Sequence, residues 1–96
     1  MPFRKETAGT TAKQIVAYNA ERSVLAIRNV SGATVYISND AGAITTEGWP
    51  MAPGDFVSFL KLYGDDTAAA VYAQTVAATT DMRIQESFGP VLTETK

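Results

Sequence analysis

The sequence predicts an all-β fold: one antiparallel β-sandwich of seven to eight short strands, jelly-roll-like or immunoglobulin-like in connection, with extended terminal arms. Three observations lead there. Short runs of β-branched and aromatic residues recur along the chain, as in Val24–Ile27, Thr34–Ile37 and Val71–Tyr72. Clusters of Asn, Asp, Gly and Pro punctuate them roughly every 7 to 12 residues, the spacing of sandwich or barrel turns. The alanine-rich stretch over 68–78 shows no 3.6-residue apolar stripe of an amphipathic helix.

Residues 1–11 are polar and Thr/Ala-rich, with little to bury except Phe3, and read as an N-terminal arm. The sandwich domain is expected over 12–86 and a C-terminal tail over 87–96. Gln14–Tyr18 is a short apolar run and the first expected strand, turned by Asn19-Ala20-Glu21. The second spans Arg22–Val30, with Leu25 and Ile27 on one face and Val24 and Ala26 on the other. An apolar second face requires cover from a further layer or a neighbouring chain. After the Ser31-Gly32-Ala33 turn, Thr34–Ser38 forms the third strand, Val35 and Ile37 inward and Tyr36 outward.

Ala43–Thr46 is a candidate short strand. Glu47–Asp55 holds two prolines and two glycines and is expected to be irregular, because proline lacks a donor and glycine marks tight bends. Its Ala52-Pro53-Gly54-Asp55 piece has the make-up of a β-turn. Phe56–Leu62 alternates and reads as a strand, and Tyr63–Asp66 turns the chain. Ala70–Val76 and Asp81–Glu86 are the last two strands. Alanines between 68 and 78 favour helix by propensity alone, but Val71, Tyr72, Thr75 and Val76 dilute that case. In the tail, Phe88, Val91 and Leu92 would be idle without something to dock on.

Ninety-six residues make one domain with a single core. Charged residues are 19% and net charge is −2, with no basic cluster in sequence beyond Arg4-Lys5, so the Lys/Arg footprint of nucleic-acid binding is not expected. No apolar run approaches the ~20 residues needed to cross a bilayer. The N-terminus lacks the apolar stretch of a secretion signal, so none is expected. Cysteine and histidine are both absent, which removes disulfides, thiolate nucleophiles, Cys/His zinc sites and histidine acid–base chemistry from this chain. Stability must come from packing, backbone pairing or association.

Carboxylates gather in the loops at Asp40, Glu47, Asp55, Asp65 and Asp66. They match no calcium-loop spacing, and acidic residues are ordinary turn formers, so solvated turns are the favoured reading. A glycosidase-like acid pair would need a defined separation that sequence does not supply. Hydroxyls are plentiful, but none has an activating base in a recognised spacing, and no glycine-rich phosphate loop occurs. The expectation is therefore no enzyme, no metal and no cofactor. Trp49 has two readings: a lid over the open end of the sandwich, joined by Met51, or an interface anchor or sugar platform. Arg22, Arg28 and Arg83 lie on or beside strands, where opposite charges on neighbouring strands can pair. An interface role is the alternative.

Five pieces occur in order: Asn19-Ala-Glu-Arg-Ser-Val-Leu-Ala-Ile-Arg-Asn-Val-Ser31, Val35-Tyr-Ile37, Gly48-Trp-Pro-Met-Ala-Pro-Gly-Asp55, Val71-Tyr-Ala73 and Asp81-Met-Arg-Ile-Gln-Glu86. The chain in this respect resembles small all-β virion domains of tailed bacteriophages, of the capsid decoration, head fibre and tail-associated types. The resemblance covers about Gln14 to Glu86, with Trp49 standing where such loops carry a small aliphatic residue. Inward pairs Leu25/Ile27, Val35/Ile37 and Met82/Ile84 and a backbone-bonding Asn29 give it a physical rationale. It implies a structural virion protein, foremost a decoration (cement) protein on the capsid surface. Its partners would be the major capsid protein, other virion proteins or further copies of itself, with neither nucleic acid nor membrane involved. Such a protein would be made in the host cytoplasm. Alternatives are a neck, tail or spike component, or a carbohydrate-binding module of another class. Candidate contact residues are Phe3, Tyr36, Trp49, Tyr72, Phe88, Val91 and Leu92.

Overall fold

The computed structural model describes residues 3–76 and 79–88. Among these residues eight strands follow one another: β1 (Phe3–Ala8), β2 (Lys13–Val16), β3 (Arg22–Asn29), β4 (Val35–Ser38), β5 (Trp49–Met51), β6 (Phe56–Leu60), β7 (Val71–Gln74) and β8 (Thr80–Phe88). A single helical turn, α1 (Ile44–Glu47), precedes β5, and a 3-10 turn (Lys61–Tyr63) follows β6.

The pairing has one simple logic. β1 pairs with β8, β2 with β7, β3 with β6 and β4 with β5, all antiparallel. The chain is thus a folded ribbon, first strand against last and middle against middle. Two further pairings, β3 with β8 and β4 with β7, roll that ribbon into two four-stranded sheets ordered β1-β8-β3-β6 and β2-β7-β4-β5. This is the jelly-roll order, and it resolves the choice between jelly-roll-like and immunoglobulin-like connection.

Alternation builds the core. Along β8, Thr80, Met82, Ile84 and Glu86 are buried while their neighbours are not, a strict period of two. Met82 and Ile84 meet Leu25 and Ile27 of the same sheet and Ile15, Val16, Val35, Ile37, Met51, Val71 and Ala73 of the other. All three expected inward pairs are in this core. Asn29 is fully buried and closes the β3–β4 turn as expected: its Nδ2 donates to Ala33 O (2.8 Å) and Met51 O (2.9 Å), and its Oδ1 accepts from Ser31 N and Oγ. Within the alanine-rich segment, Val71–Gln74 is strand β7 rather than helix.

Four expectations change. Most of the N-terminal arm is strand β1, which lies along β8 from Phe3↔Gln85 to Ala8↔Thr80. Its polar composition suits an edge strand with one face in solvent. Ala43–Thr46 is not a strand, since Ile44–Glu47 turns helically after Ala43 at φ 53°. Ile44 alone of that turn is buried. Gly48 ends the turn where an added Cβ would sit 2.5 Å from Ile44 O and 2.9 Å from Ile37 O, so only glycine fits. The proline-bearing Trp49–Met51 is not irregular but strand β5, tolerated because β5 is an edge and Pro50 need donate no ladder bond. The sandwich runs on to Phe88, two residues beyond the expected boundary at 86.

The loops fall at two ends. The β2–β3, β4–β5 and β6–β7 connections share one end, which also receives the close of β8. The β1–β2, β3–β4 and β5–β6 connections share the other. Among the described residues, no helix is long and apolar enough to cross a membrane.

Candidate interaction surfaces

The expected contact residues do not form one patch. Phe3 is 72% exposed on the outer face of β1. Tyr36 and Tyr72 are half-buried on the outer face of the opposite sheet, on the paired strands β4 and β7, and the Tyr72 hydroxyl accepts a long 3.4 Å bond from Gln14 Nε2. Phe88, 45% exposed, ends β8 opposite Arg22. Val91 and Leu92 lie outside the described residues.

Trp49 is not a lid. Met51, two residues on, points into the core with no exposure, while Trp49 stays 66% exposed. It lines an opening with Ile37, Val57, Ser58 and Phe59, between edge strands β5 and β6, where the two sheets do not close on each other. The remaining large exposed apolar side chains include Tyr18, Phe56, Leu62, Tyr63 and Val76. Both sheets and both ends therefore present apolar surface.

The loop carboxylates behave as turn residues. Asp55 Oδ2 accepts from Ala52 N and Asp65 Oδ2 from Leu60 N, each at 2.8 Å. Asp66 Oδ1 accepts from Ala68 and Ala69 N, and Asp40 Oδ1 from Gly42 N. Among the described residues, no three His, Cys, Asp or Glu side chains come together to hold a metal ion.

The most organised polar cluster centres on Arg22, which sequence alone assigned to a strand opening beside Glu21. It is 1% exposed. The ladder is the cause. Arg22 opposes Phe88 and Val24 opposes Ser87, so two steps on β3 match one on β8. That bulge turns Arg22 inward, whereas strict alternation would place it outside with Ala26 and Arg28. Its Nε donates to Glu86 Oε2 (2.8 Å), its Nη1 to Thr67 O (2.8 Å) and its Nη2 to Ala17 O. Thr67 Oγ1 returns a 2.6 Å bond to Arg22 O. Arg4 of β1 holds the other Glu86 oxygen, pairs with Glu6 at 3.0 Å and donates to Ile15 O at 2.8 Å. Thus Glu86 pairs with Arg4 and Arg22, and among the described residues no ion pair joins it to Arg83.

Burial opposes ionisation of Glu86, but the hydrogen bonds and charges of Arg4 and Arg22 outweigh it and hold the carboxyl below its ordinary value. Burial likewise opposes the charge on Arg4, and the bonds from Glu86 and Glu6 prevail, raising its pKa. The cluster ties β1, β3 and β8 to the β2–β3 and β6–β7 loops. With every group engaged inside the protein, its chemistry is that of a clamp.

Arg28 and Arg83 have the opposite situation. They face solvent on the other side of the same sheet, directly opposite one another, with Lys5 opposite Arg83 in turn. Alternation around Ile27 and Ile84 points both arginines outward from sequence alone. Only register reveals the row.

No family model matches the chain, and no curated protein is significantly similar to it. A solved structure of Bacillus endospore appendages, described as a family of disulfide-linked pili, is similar in fold. The alignment covers 93% of this chain and 85% of that one, with 23% identity and a TM-score of 0.51. At that identity the likeness is one of fold. This chain has no cysteine, so the disulfide linkage named for that structure has no counterpart in these residues.

Proposed function

We propose that this chain is a structural subunit of a larger protein assembly, and specifically a virion protein of a tailed bacteriophage that decorates the capsid through protein–protein contacts. The observation that carries the assembly reading is the distribution of exposed apolar side chains on a small, well-packed jelly roll. Phe3, Trp49, Phe56 and Tyr63 are each more than half exposed, on different strands and loops. Large aromatic side chains left in solvent on rigid elements are the usual anchors of interfaces. The order of motifs from Asn19 to Glu86 supports placing that assembly in a phage particle. Each bound copy would stabilise the shell by mass action, since it binds the assembled state and not the dispersed one.

The structural neighbour favours a second reading. Because that protein is described as a pilus, a component that polymerises in a neck, tail or spike is the alternative to shell decoration. Counting copies of this chain per purified particle, by quantitative mass spectrometry, separates the two. Hundreds of copies mean decoration, and about five, six or twelve mean a neck, vertex or tail part. Particles without the chain would overturn the virion reading. A carbohydrate-binding module, the reading from another class, would require glycan-array binding that Trp49→Ala abolishes.

A further inference from the structure

The outer face of the β1-β8-β3-β6 sheet carries a row of three cations. Lys5 lies opposite Arg83, and Arg83 opposite Arg28. All three are exposed. Like charges directly opposite across a sheet destabilise it. Among the described residues, none of the three forms an ion pair. Arg83 has a single long bond, from Nη1 to the neighbouring Met82 O at 3.4 Å. Asp81 shares the face two positions along β8 and, among the described residues, makes no ion pair with the row. Phe56, 57% exposed, extends the row beyond Arg28, and with Phe3 and Ala26 it borders a shallow depression.

The complementary charge sits at the far end of the same molecule. Asp65 and Asp66 follow the 3-10 turn beyond β6, next to Asn39 and hence to Asp40. These carboxylates bond turn N–H groups and remain exposed, and Leu62 and Tyr63 beside them are 52% and 75% exposed. Phe56 to Leu60 alone is four strand steps, roughly 13 Å. That exceeds the screening length of about 8 Å at physiological ionic strength. The two charged regions therefore cannot neutralise each other within one copy.

We propose that the Lys5–Arg83–Arg28 row is the docking surface for the acidic β6–β7 loop end of a second copy, so that copies associate head to tail. Charge and apolar character match on both sides: Arg28 and Arg83 with Phe56 on the face, Asp65 and Asp66 with Tyr63 on the loop. A guanidinium also stacks well on an aromatic ring, which suits Tyr63 against the row. The contact joins two different patches, so it repeats into a ring where the rotation closes and a filament where it does not. This inference rests on the assembly reading and names the contact by which copies would meet.

Sedimentation velocity of the full chain across a NaCl series tests it, with circular dichroism checking that each variant is folded. Wild type should associate at low salt and dissociate as salt rises. Arg83→Glu alone and the double variant Asp65→Lys/Asp66→Lys alone should each be monomeric. An equimolar mixture of the two should form heterodimers, because one unaltered pair of surfaces is restored. A monomeric wild type at low salt would overturn the contact, as would association indifferent to salt and to both variants. In the latter case the assembly reading survives through another surface, whereas particles lacking the chain would remove that reading. Binding of a single-stranded oligonucleotide, lost in Arg83→Glu, would assign the row to nucleic acid and also overturn the proposal.

Discussion

Arg22 and Arg28 stand on one strand, six residues apart, in opposite circumstances. Arg22 is buried, bonded to Glu86 and to the carbonyls of Ala17 and Thr67. Arg28 is exposed, set against another arginine, and in no ion pair among the described residues. A single bulge separates the two fates, because it reverses which face the start of β3 presents. Charge on this sheet is divided by face. Inward charges hold the sandwich together, and outward ones stand in solvent.

The largest effect expected from breaking the inner side is that of Arg22→Met. It strands Glu86 with one cation and takes the guanidinium donor from the Ala17 and Thr67 carbonyls. Removing one partner of a buried pair costs about 3–5 kcal/mol, a loss that denaturant unfolding should report as a much lower midpoint. If the free energy lost were less than a tenth of that, the clamp would be ornamental.

Acid should attack the same cluster. Glu86 has a folded pKa below its unfolded value, so its contribution is fully present above the ordinary carboxylate pKa, 4.5. That contribution declines as pH falls through 4.5 and is gone below the depressed folded value. Stability followed from pH 7 downward should therefore fall in this window, and Glu86→Gln should show a shallower slope there at lower stability overall. An unchanged slope would remove Glu86 as the source.

Smaller changes sharpen the contrast. Thr80 Oγ1 is buried with no hydrogen-bond partner among the described residues. Thr80→Val should then raise thermal stability, by about 1 kcal/mol, as the desolvated hydroxyl is removed. A loss of similar size would reveal a partner for that hydroxyl. Least of all, Arg28→Ala and Arg83→Ala should stay within about 0.5 kcal/mol of wild type. In dilute, monomeric protein their sign should lean towards stabilisation at low salt, because like-charge repulsion is relieved. Destabilisation as large as that of Arg22→Met would erase the distinction between the faces.

The sequence disclosed what depends on local pattern. Leu25/Ile27, Val35/Ile37 and Met82/Ile84 alternate cleanly, so β3, β4 and β8 were legible, and the polar turn around Asn29 and Ser31 marked the β3–β4 reversal. β1 was not legible, because Phe3–Ala8 is polar and its stabilising partner Glu86 lies 82 residues from Arg4. β5 was hidden by Pro50, which is harmless only because this strand turned out to be an edge. α1 is too short for any periodicity to register. The bulge beside Arg22 leaves no sequence mark at all, and residues 5, 28 and 83 become a row only once three strands are in register. Local chemistry was readable; long-range pairing was not.

The division of charge by face is tested most directly by two readouts on one variant, Arg83→Glu: its denaturation midpoint and its sedimentation at low salt. An unfolding midpoint close to wild type together with loss of association is expected. A variant that unfolds readily, or one that associates as wild type does, would contradict it.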